Sequence, residues 1–389
     1  MSRPDLLARL SHAQTKRAEA DLLRRLRCVE AADGPYVVIG GRRLLSFASN
    51  DYLGLAQHPR LREALTAAAR RWGVGATAAH LLGGHRAEHE ALERQLARWT
   101  GRERALLFSS GYMANLGVLG ALLHEGDLCL QDRLNHACLI DGARLSGATM
   151  KRYVHNDTAS ARRQFETAPG LPALLASDGV FSMDGDIAPL RELATLCREQ
   201  GALLHVDDAH GIGVLGTDGA GSVAEAGLDQ NDVPVLMATL GKALGVCGAF
   251  VAGSTALIDG LVQFARTHMY TTALPPALAA ATSTAVDIAR FETWRRERLR
   301  ALIDHWRNGA RSQGLDVLPS RTPIQPLLVG DSAAALRLSQ ELETRGYHVP
   351  AIRPPTVAAG KARLRVTLSA LHTESMVEQL LDAVVQARA

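Results

Sequence analysis

The feature that most constrains this chain is a regular alternation of short apolar strands and helices between residues 85 and 252. Such alternation is typical of a mainly parallel sheet with helices on both faces, in which binding sites collect at the carboxyl ends of the strands. The sequence therefore predicts an α/β fold with its site at one edge of the sheet. The predicted strands cover 104–108, 127–131, 150–154, 172–177, 202–206, 235–239 and 247–252.

Weaker patterns flank this region on both sides. Residues 6–27 carry leucines at helical spacing among arginines and lysines, and residues 36–47 predict a hairpin around Gly40-Gly41. After one long helical connection at 277–313, which allows a bend, further strand and helix patterns predict a separate, smaller α+β domain. The expected division is 1–50 as an amino-terminal helix and hairpin arm, 51–285 as the large domain and 286–389 as the C-terminal domain.

Composition excludes several classes of protein. The chain has 389 residues, 47% apolar and 21% charged, as in a soluble globular protein. Its net charge of +3, from 43 basic and 40 acidic residues, argues against a nucleic-acid binder. We find neither a secretory signal nor an apolar run of about 18 residues, so we expect no export and no membrane span.

The cysteines indicate the compartment. They are scattered, odd in number and without CxxC spacing, which argues against a disulfide framework or a zinc ribbon and favours a reducing cytoplasm. Their positions are Cys28, Cys129, Cys138, Cys197 and Cys247.

One lysine, Lys242, lies in a small-residue, apolar run at 237–245. Most lysines are solvated, so a surface position is one interpretation. A partly buried lysine with a lowered pKa is the amine that holds a carbonyl cofactor as a Schiff base, which is the other. Thr239 precedes this lysine by three residues, and we expect Gly241, Gly245 and Gly248 to leave clearance for a flat ligand.

Polar residues follow several of the predicted strands. Ser109-Ser110-Gly111-Tyr112 opens a helix and suits either a phosphate site or a simple serine N-cap. His136 suits either a helix cap or a ring stacked on a flat ligand. Asp207 ends an apolar strand and needs a cationic partner there, such as the ring nitrogen of pyridoxal phosphate (PLP), with His210 close by. The acidic stretch 177–186 predicts a turn, because it lacks the ligand spacing of a calcium loop.

Two further motifs are weaker evidence, one for a dinucleotide and one for a metal. Gly211 to Gly216 matches the dinucleotide fingerprint GxGxxG, but a glycine-rich loop follows it in place of the required helix. His80, His85 and His89 could suggest a metal, but they lack an HExxH motif and we expect a solvated helix face.

Five ordered motifs together resemble the α-oxoamine synthases, PLP enzymes of the fold-type I aminotransferase superfamily. The resemblance spans residues 17–372. Its motifs are Ser49-Asn-Asp-Tyr-Leu-Gly-Leu55, Asp132-Arg-Leu-Asn-His-Ala137, Gly179-Val-Phe-Ser-Met-Asp-Gly-Asp186, Val206-Asp-Asp-Ala-His-Gly211 and Thr239-Leu-Gly-Lys242. This resemblance implies condensation of a small amino acid with an acyl thioester, with release of the thiol carrier and carbon dioxide.

Within that family, Ile352-Arg-Pro-Pro-Thr-Val357 and Ala362-Arg-Leu-Arg-Val-Thr-Leu368 are most similar to the branch that joins L-alanine to a pimeloyl thioester for biotin synthesis. The carrier, coenzyme A or acyl carrier protein, stays open. The alternative within the family is the glycine acetyltransferase branch, and a regulator that has lost catalysis is the alternative outside enzymes.

The resemblance also implies roles for individual residues. Lys242 would form the Schiff base and move protons at the substrate α-carbon, with Asp207, His136 and His210 as the other catalytic residues. The implied cofactor contacts are Gly111, Tyr112, His136, Ser182, Asp207, His210, Thr239, Lys242 and, from the neighbouring subunit, Thr272. The implied substrate contacts are Arg24, Asn50, His136, Arg353, Thr356 and Arg365.

Two further implications concern assembly and departures from the family. A threonine supplied by a neighbour implies a homodimer with active sites at the interface. The family arginine is replaced by His80, and the family glutamate before Gly179 is replaced by Asp178.

Overall fold

The computed structural model describes residues 3, 5–20 and 22–388, and its described part divides into two compact units. One unit is Asn50–Leu299 and the other joins Met1–Ser49 with Arg300–Ala389. The predicted division at residues 50 and 285 remains a prediction, although the amino-terminal and C-terminal segments share one unit here. Among the described residues, no helix combines the length and apolar character needed to cross a bilayer.

The strands bear out the predicted alternation closely. They are β1 Ala31–Asp33, β2 Tyr36–Ile39, β3 Arg42–Ser46, β4 Arg104–Phe108, β5 Leu128–Asp132, β6 Thr149–Tyr153, β7 Ala173–Asp178, β8 Leu203–Asp207, β9 Val235–Thr239, β10 Ala249–Gly253, β11 Ile324–Gly330, β12 Tyr347–His348, β13 Ala351–Ile352 and β14 Ala362–Thr367.

The helices complete the two units. They are α1 Leu6–Glu19, α2 Pro59–Trp72, α3 Ala87–Trp99, α4 Gly111–Leu122, α5 Ala137–Ser146, α6 Thr158–Glu166, α7 Leu190–Gln200, α8 Ser222–Glu225, α9 Thr255–Phe264, α10 Arg266–Met269, α11 Pro276–Phe291, α12 Trp294–Ser312, α13 Ser332–Thr344 and α14 Glu374–Arg388, with a short 3-10 helix at His80–Leu82.

The large unit is built on a seven-stranded sheet in the order β4-β10-β9-β8-β7-β5-β6. Strand β10 is antiparallel to both of its neighbours, and the other strand pairs are parallel. The strands are apolar and buried along most of their length because helices cover both faces. Leu175 packs into the core beneath α6 and α7, whereas Leu174 and Ala176 pack beneath α4 and α5. The predicted α/β fold is confirmed.

The smaller unit contains two sheets of its own. Strands β11, β14 and β13 form an antiparallel sheet, and β1, β2 and β3 form a meander to which β12 adds in parallel. The predicted hairpin at 36–47 is therefore present. The smaller α+β domain expected at the C-terminal end is present too, and it includes the amino-terminal strands.

One helix prediction was wrong in extent, and a second segment is interrupted. Helix α1 ends at Glu19, because none of its side chains is buried and packing does not extend it. The long helical connection expected at 277–313, for which a bend was allowed, is two helices, since Glu292 leaves helical geometry with a ψ of 68°.

Helix α4 offers a matched pair of glycines that tests its packing. A Cβ at Gly117 would lie 2.5 Å from Thr267 Oγ1 and 3.1 Å from Phe108 Cε1, whereas one at Gly120 would meet nothing within 4 Å. We expect Gly117→Ala to lower the free energy of unfolding by about 1–3 kcal/mol through overpacking. Gly120→Ala should raise it by up to about 1 kcal/mol through helix propensity.

Urea unfolding of the two variants and the parent measures both effects. Equal effects of the two substitutions would contradict the packing of α4 described above.

Candidate active site

Two buried carboxylates lie side by side at the carboxyl edge of the seven-stranded sheet. Asp178 ends β7 and Asp207 ends β8, and they are direct partners across that strand pair. Each is 4% exposed. Burial, and then the charge of Asp207, raise the pKa of Asp178 well above its usual range. This edge therefore favours a cationic group beside the pair.

Asp207 is held by a buried chain of hydrogen bonds. Asn115 Nδ2 donates to Asp207 Oδ2 at 2.7 Å, and the Ala209 N–H donates to Oδ1 at 3.0 Å. His205 Nε2 lies 2.9 Å from Asn115 Oδ1. Burial lowers the pKa of His205 to about 4, so its ring is neutral and Nε2–H is the donor in this assignment. The orientation of the carboxylate is thus fixed from α4 and from β8.

Sequence reasoning missed both residues that fix Asp207. His205 and Asp207 occupy positions i and i+2 of β8, so strand periodicity places them on the same face and could have indicated the histidine. Asn115 is 92 residues away in sequence, in the interior of α4, and no local pattern marks it.

Lys242 begins a second hydrogen-bond chain. Its Nζ lies 2.9 Å from His210 Nε2, and His210 Nδ1 lies 2.6 Å from Tyr52 Oη. Tyr52 Oη in turn donates to Asn50 Oδ1 at 3.2 Å. In a consistent assignment Lys242 donates to His210, whose Nδ1–H donates to Tyr52. The structure thus brings together three residues predicted from the sequence and adds Tyr52, which is fully buried.

The start of α4 has the geometry expected of an anion site. Ser110 is its N-cap, with its Oγ accepting the Met113 N–H at 3.2 Å. The N–H groups of Gly111 and Tyr112 belong to the first turn, which the helix's own carbonyls do not satisfy. Serine capping and a phosphate site are therefore compatible here.

Thr239 ends β9 near the same edge. Ala249 of β10 pairs with both Thr239 and Phe108, so the end of β9 is separated by one strand from the end of β4, which leads into α4. The Thr239 hydroxyl donates to the Gly248 carbonyl at 3.0 Å. Any phosphate bound by this hydroxyl would compete with that bond.

His136 caps α5, and its backbone contacts Asp178. The Cys138 N–H donates to His136 Nδ1 at 3.3 Å, and the His136 N–H donates to Asp178 Oδ2 at 3.2 Å. Burial lowers the pKa of His136. Asp178, which replaces the glutamate of the family, thus has a structural role. Its carboxylate accepts the backbone N–H of His136, a predicted cofactor contact.

The remaining predicted cofactor contacts lie on loops of the same unit. Ser182 is half-buried in the turn after β7. Thr272 is exposed and is the bridge partner of Ala79. Their roles toward a cofactor stay predictions.

The predicted substrate arginines belong to the smaller unit. Arg24 Nη2 donates to Thr356 Oγ1 at 3.2 Å, which joins two predicted acyl contacts 332 residues apart in sequence. Arg353 is half-buried. Arg365 is 6% exposed and donates to Thr367 Oγ1 at 3.0 Å. Their roles toward substrate remain predictions.

The expectation of a solvated histidine face was wrong. His89 is fully buried, with Nε2 2.6 Å from the Leu274 carbonyl. His80 Nδ1 lies 2.9 Å from His85 Nδ1, and its ring stacks on that of His268 with 4.6 Å between centroids. Burial lowers the pKa of His80 to about 3. Segment 268–274 packs over these rings, a long-range contact that helical spacing does not reveal.

The structure gives physical roles to two glycines, and one of them differs from the expectation. A Cβ at Gly245 would lie 2.5 Å from the Ala56 nitrogen, so its space is taken by the chain itself and not by a ligand. A Cβ at Gly211 would lie 2.1 Å from Asp208 Oδ1. Glycine at the GxGxxG motif therefore makes room for a buried carboxylate, in agreement with the rejection of a dinucleotide site.

PLP fits the residues at this edge. The pair Asp178 and Asp207 suits the cationic nitrogen of a pyridine ring, and the first turn of α4 offers N–H groups to a phosphate. Lys242 is half-buried and supplies an amine next to an imidazole. The other described lysines are Lys151 on β6 of the same unit, and Lys16 on α1 and Lys361 before β14 in the other unit.

Comparison with known proteins decides the family. The model of aminotransferase class I and II matches residues 42–384. The chain belongs to the class I and II aminotransferase family. Among its curated relatives, the 8-amino-7-oxononanoate synthase of Pseudomonas putida is 58% identical over 382 residues, which cover 98% of this chain and 97% of that protein.

Solved structures agree with the family assignment. A serine palmitoyltransferase of S. paucimobilis with a bound PLP–myriocin aldimine has a TM-score of 0.93 at 27% identity, covering 99% of this chain and 98% of that one. The 8-amino-7-oxononanoate synthase of Francisella tularensis has a TM-score of 0.78 at 29% identity, covering 88% and 97%.

The buried chain behind Asp207 can be tested by removing Asn115. Asn115→Ala leaves Asp207 and His205 without their shared partner, and we expect the free energy of unfolding to fall by roughly 1–3 kcal/mol. Urea unfolding of the cofactor-free protein measures this loss.

Gln379→Ala is the matched control, since Gln379 is an exposed amide on α14 that donates to Ser375, four residues earlier on the same helix. Its effect should stay within about 0.5 kcal/mol. An Asn115 variant as stable as this control would contradict the role given to Asn115.

Proposed function

We propose that this aminotransferase-family chain condenses L-alanine with a pimeloyl thioester. The products are 8-amino-7-oxononanoate, carbon dioxide and the free thiol carrier, as a step of biotin synthesis. The observation that carries the proposal is Lys242 Nζ at 2.9 Å from His210 Nε2, on the edge where buried Asp207 ends β8. Relatives at 55–58% identity over nearly the whole chain bear the corresponding enzyme name.

PLP would be held by residues already positioned at this edge. Asp207 would face the ring nitrogen, His136 the ring plane, and His210 with Ser182 the phenolic oxygen side. Gly111, Tyr112 and Thr239 would hold the phosphate. When bound, PLP supplies an electron sink for charge that develops at the substrate α-carbon.

The chain's own residues would bind the substrate and move its protons. Lys242 Nζ would take the proton from the α-carbon of L-alanine and later return one to the same carbon of the product. His210 accepts a hydrogen bond from this amine in the assignment above, which orients the nitrogen. Arg365 would bind the amino-acid carboxylate as a planar, bidentate donor.

The acyl substrate would lie against the smaller unit's polar residues. The hydrogen bond between Arg24 and Thr356 supports a shared role for these two residues. Asn50 and Arg353 complete the proposed acyl contacts. The carrier can be coenzyme A or acyl carrier protein, and the exposed basic residues of α1 suit an acidic carrier protein.

We further propose a homodimer in which Thr272 contacts the phosphate of the partner's site. Thr272 is exposed, and its backbone forms a β-bridge with Ala79. The nearby His268 stacks on the buried ring of His80. We also propose a cytoplasmic location, since the five cysteines are all unpaired thiols.

The test is the identity of the product. The cofactor-loaded protein is given L-alanine and glycine together with pimeloyl and acetyl thioesters of both carriers, and the products are identified by mass spectrometry. We expect 8-amino-7-oxononanoate as the main product, with one carbon dioxide and one thiol released for each molecule formed. The pimeloyl carrier that is consumed faster is the preferred donor.

Lys242→Ala is the inactive control, and Lys361→Ala, which changes an exposed lysine of the smaller unit, should keep the parent rate. Formation of 2-amino-3-ketobutyrate from glycine and the acetyl thioester would instead assign the glycine acetyltransferase reaction. A yellow protein that releases no thiol from any donor would overturn the enzymatic proposal.

A further inference from the structure

His155 lies just after β6, and its ring bridges two carboxylates. Nδ1 is 3.0 Å from Asp132 Oδ1, and Nε2 is 2.7 Å from Asp186 Oδ2. The ring also stands edge-on to Phe181, with 4.4 Å between centroids. Both ring nitrogens therefore have carboxylate partners, on two different loops.

Asn156 forms a second bridge between the same two carboxylates. Its N–H donates to Asp132 Oδ2 at 2.9 Å, and its Nδ2 donates to Asp186 Oδ2 at 2.8 Å. Asn156 has a φ of +55°, a conformation that asparagine tolerates better than most residues. The chain thus adopts an unfavourable backbone angle at the point where two consecutive residues reach the same two acids.

The two acids belong to loops that carry predicted cofactor contacts. Asp132 is fully buried at the end of β5, and its Oδ1 accepts the Leu134 N–H at 2.8 Å, two residues before His136. Asp186 accepts the Phe181 N–H through its carbonyl at 3.0 Å, which closes the turn that contains Ser182. His155 therefore connects the loop of His136 with the loop of Ser182.

The bridge is ionic. Burial lowers the pKa of His155, but the hydrogen bonds and charges of Asp132 and Asp186 outweigh burial and raise the pKa to about 10. At neutral pH the ring is a cation between two carboxylates, and both of its N–H groups donate.

A metal ion is a poorer explanation of the same cluster. His155, Asp184 and Asp186 offer ligand atoms within 4.8 Å of one another. However, 2.7 Å between Nε2 and Asp186 Oδ2 is a hydrogen-bond length, and two ligands of one tetrahedral zinc ion stand about 3.3 Å apart.

We propose that His155 is a positioning residue, a cationic clamp that holds the His136 and Ser182 loops in register for the cofactor. This inference rests on the proposed function, because both loops act there through PLP. A group displaced by about 1 Å from its reacting partner can cost on the order of 100-fold in rate, so a clamp between two such loops controls turnover without touching substrate.

The test compares His155→Gln with His305→Gln. His305 is a half-buried histidine of the smaller unit that faces one carboxylate, Glu378, at 3.3 Å. For His155→Gln we expect kcat to fall roughly 10- to 100-fold, while KM for the pimeloyl thioester changes less than about twofold. The visible circular dichroism of bound PLP should weaken, and amide exchange at 132–136 and 181–187 should speed up. The control should match the parent in all four measurements.

Asp186→Asn gives a second route if the glutamine variant folds poorly. It keeps the shape of the side chain and removes its charge, so it should give the same spectral change. The kcat of the double variant should be no lower than that of the more impaired single variant. A His155→Gln protein that melts earlier but keeps the parent kcat and the parent PLP spectrum would overturn the proposal. Loss of the PLP spectrum when zinc is chelated from the parent protein would also overturn the proposal.

Failure of the proposed function is distinguishable from failure of the clamp. If the parent makes a different product, the reaction is wrong, while the PLP spectrum and amide exchange still report on His155. If the parent makes the expected product and both readouts are unchanged in His155→Gln, the clamp alone is wrong.

Discussion

The hydrogen bonds that hold the buried carboxylate of Asp207 are the interaction on which the candidate site depends. A carboxylate that leaves water costs several kcal/mol unless donors and an opposite charge replace its hydration. Asn115 Nδ2 and the Ala209 N–H supply two of those donors, and His205 fixes the asparagine. The adjacent Asp178 makes a cation at this position more favourable still, which supports the proposal that a pyridine nitrogen is bound there.

Much of the fold was predictable because its signal is local. Seven apolar stretches separated by helical patterns indicate a parallel sheet, and the observed strands begin and end within two residues of the predicted ones. Helix α2 escaped notice, although Pro59 at its first position and Gly73 just after its last are the expected boundary signals. Helix α1 was predicted too long because amphipathic spacing alone does not end a helix that packs against nothing.

The candidate site was predictable where residues follow strands. Asp207, Lys242 and His210 were each named from their position at a strand end or in a motif, and the structure brings Lys242 and His210 within 2.9 Å. Tyr52 was missed as a partner because it lies 158 residues from His210. The buried histidines were misjudged for the same reason, since they are covered by His268 and by Leu274, which lies 185 residues from His89. What sequence spacing cannot supply is the identity of long-range neighbours.

The central claim is that Lys242, and no other amine, holds PLP beside Asp207. The chain makes this easy to test, since its only other lysines are Lys16, Lys151 and Lys361. Borohydride reduction of the PLP-loaded protein, followed by digestion and mass spectrometry, fixes the cofactor to the amine that binds it. We predict a phosphopyridoxyl group on the peptide that contains Lys242 and on no other. The same group on Lys151, or no modified peptide at all, would contradict the assignment.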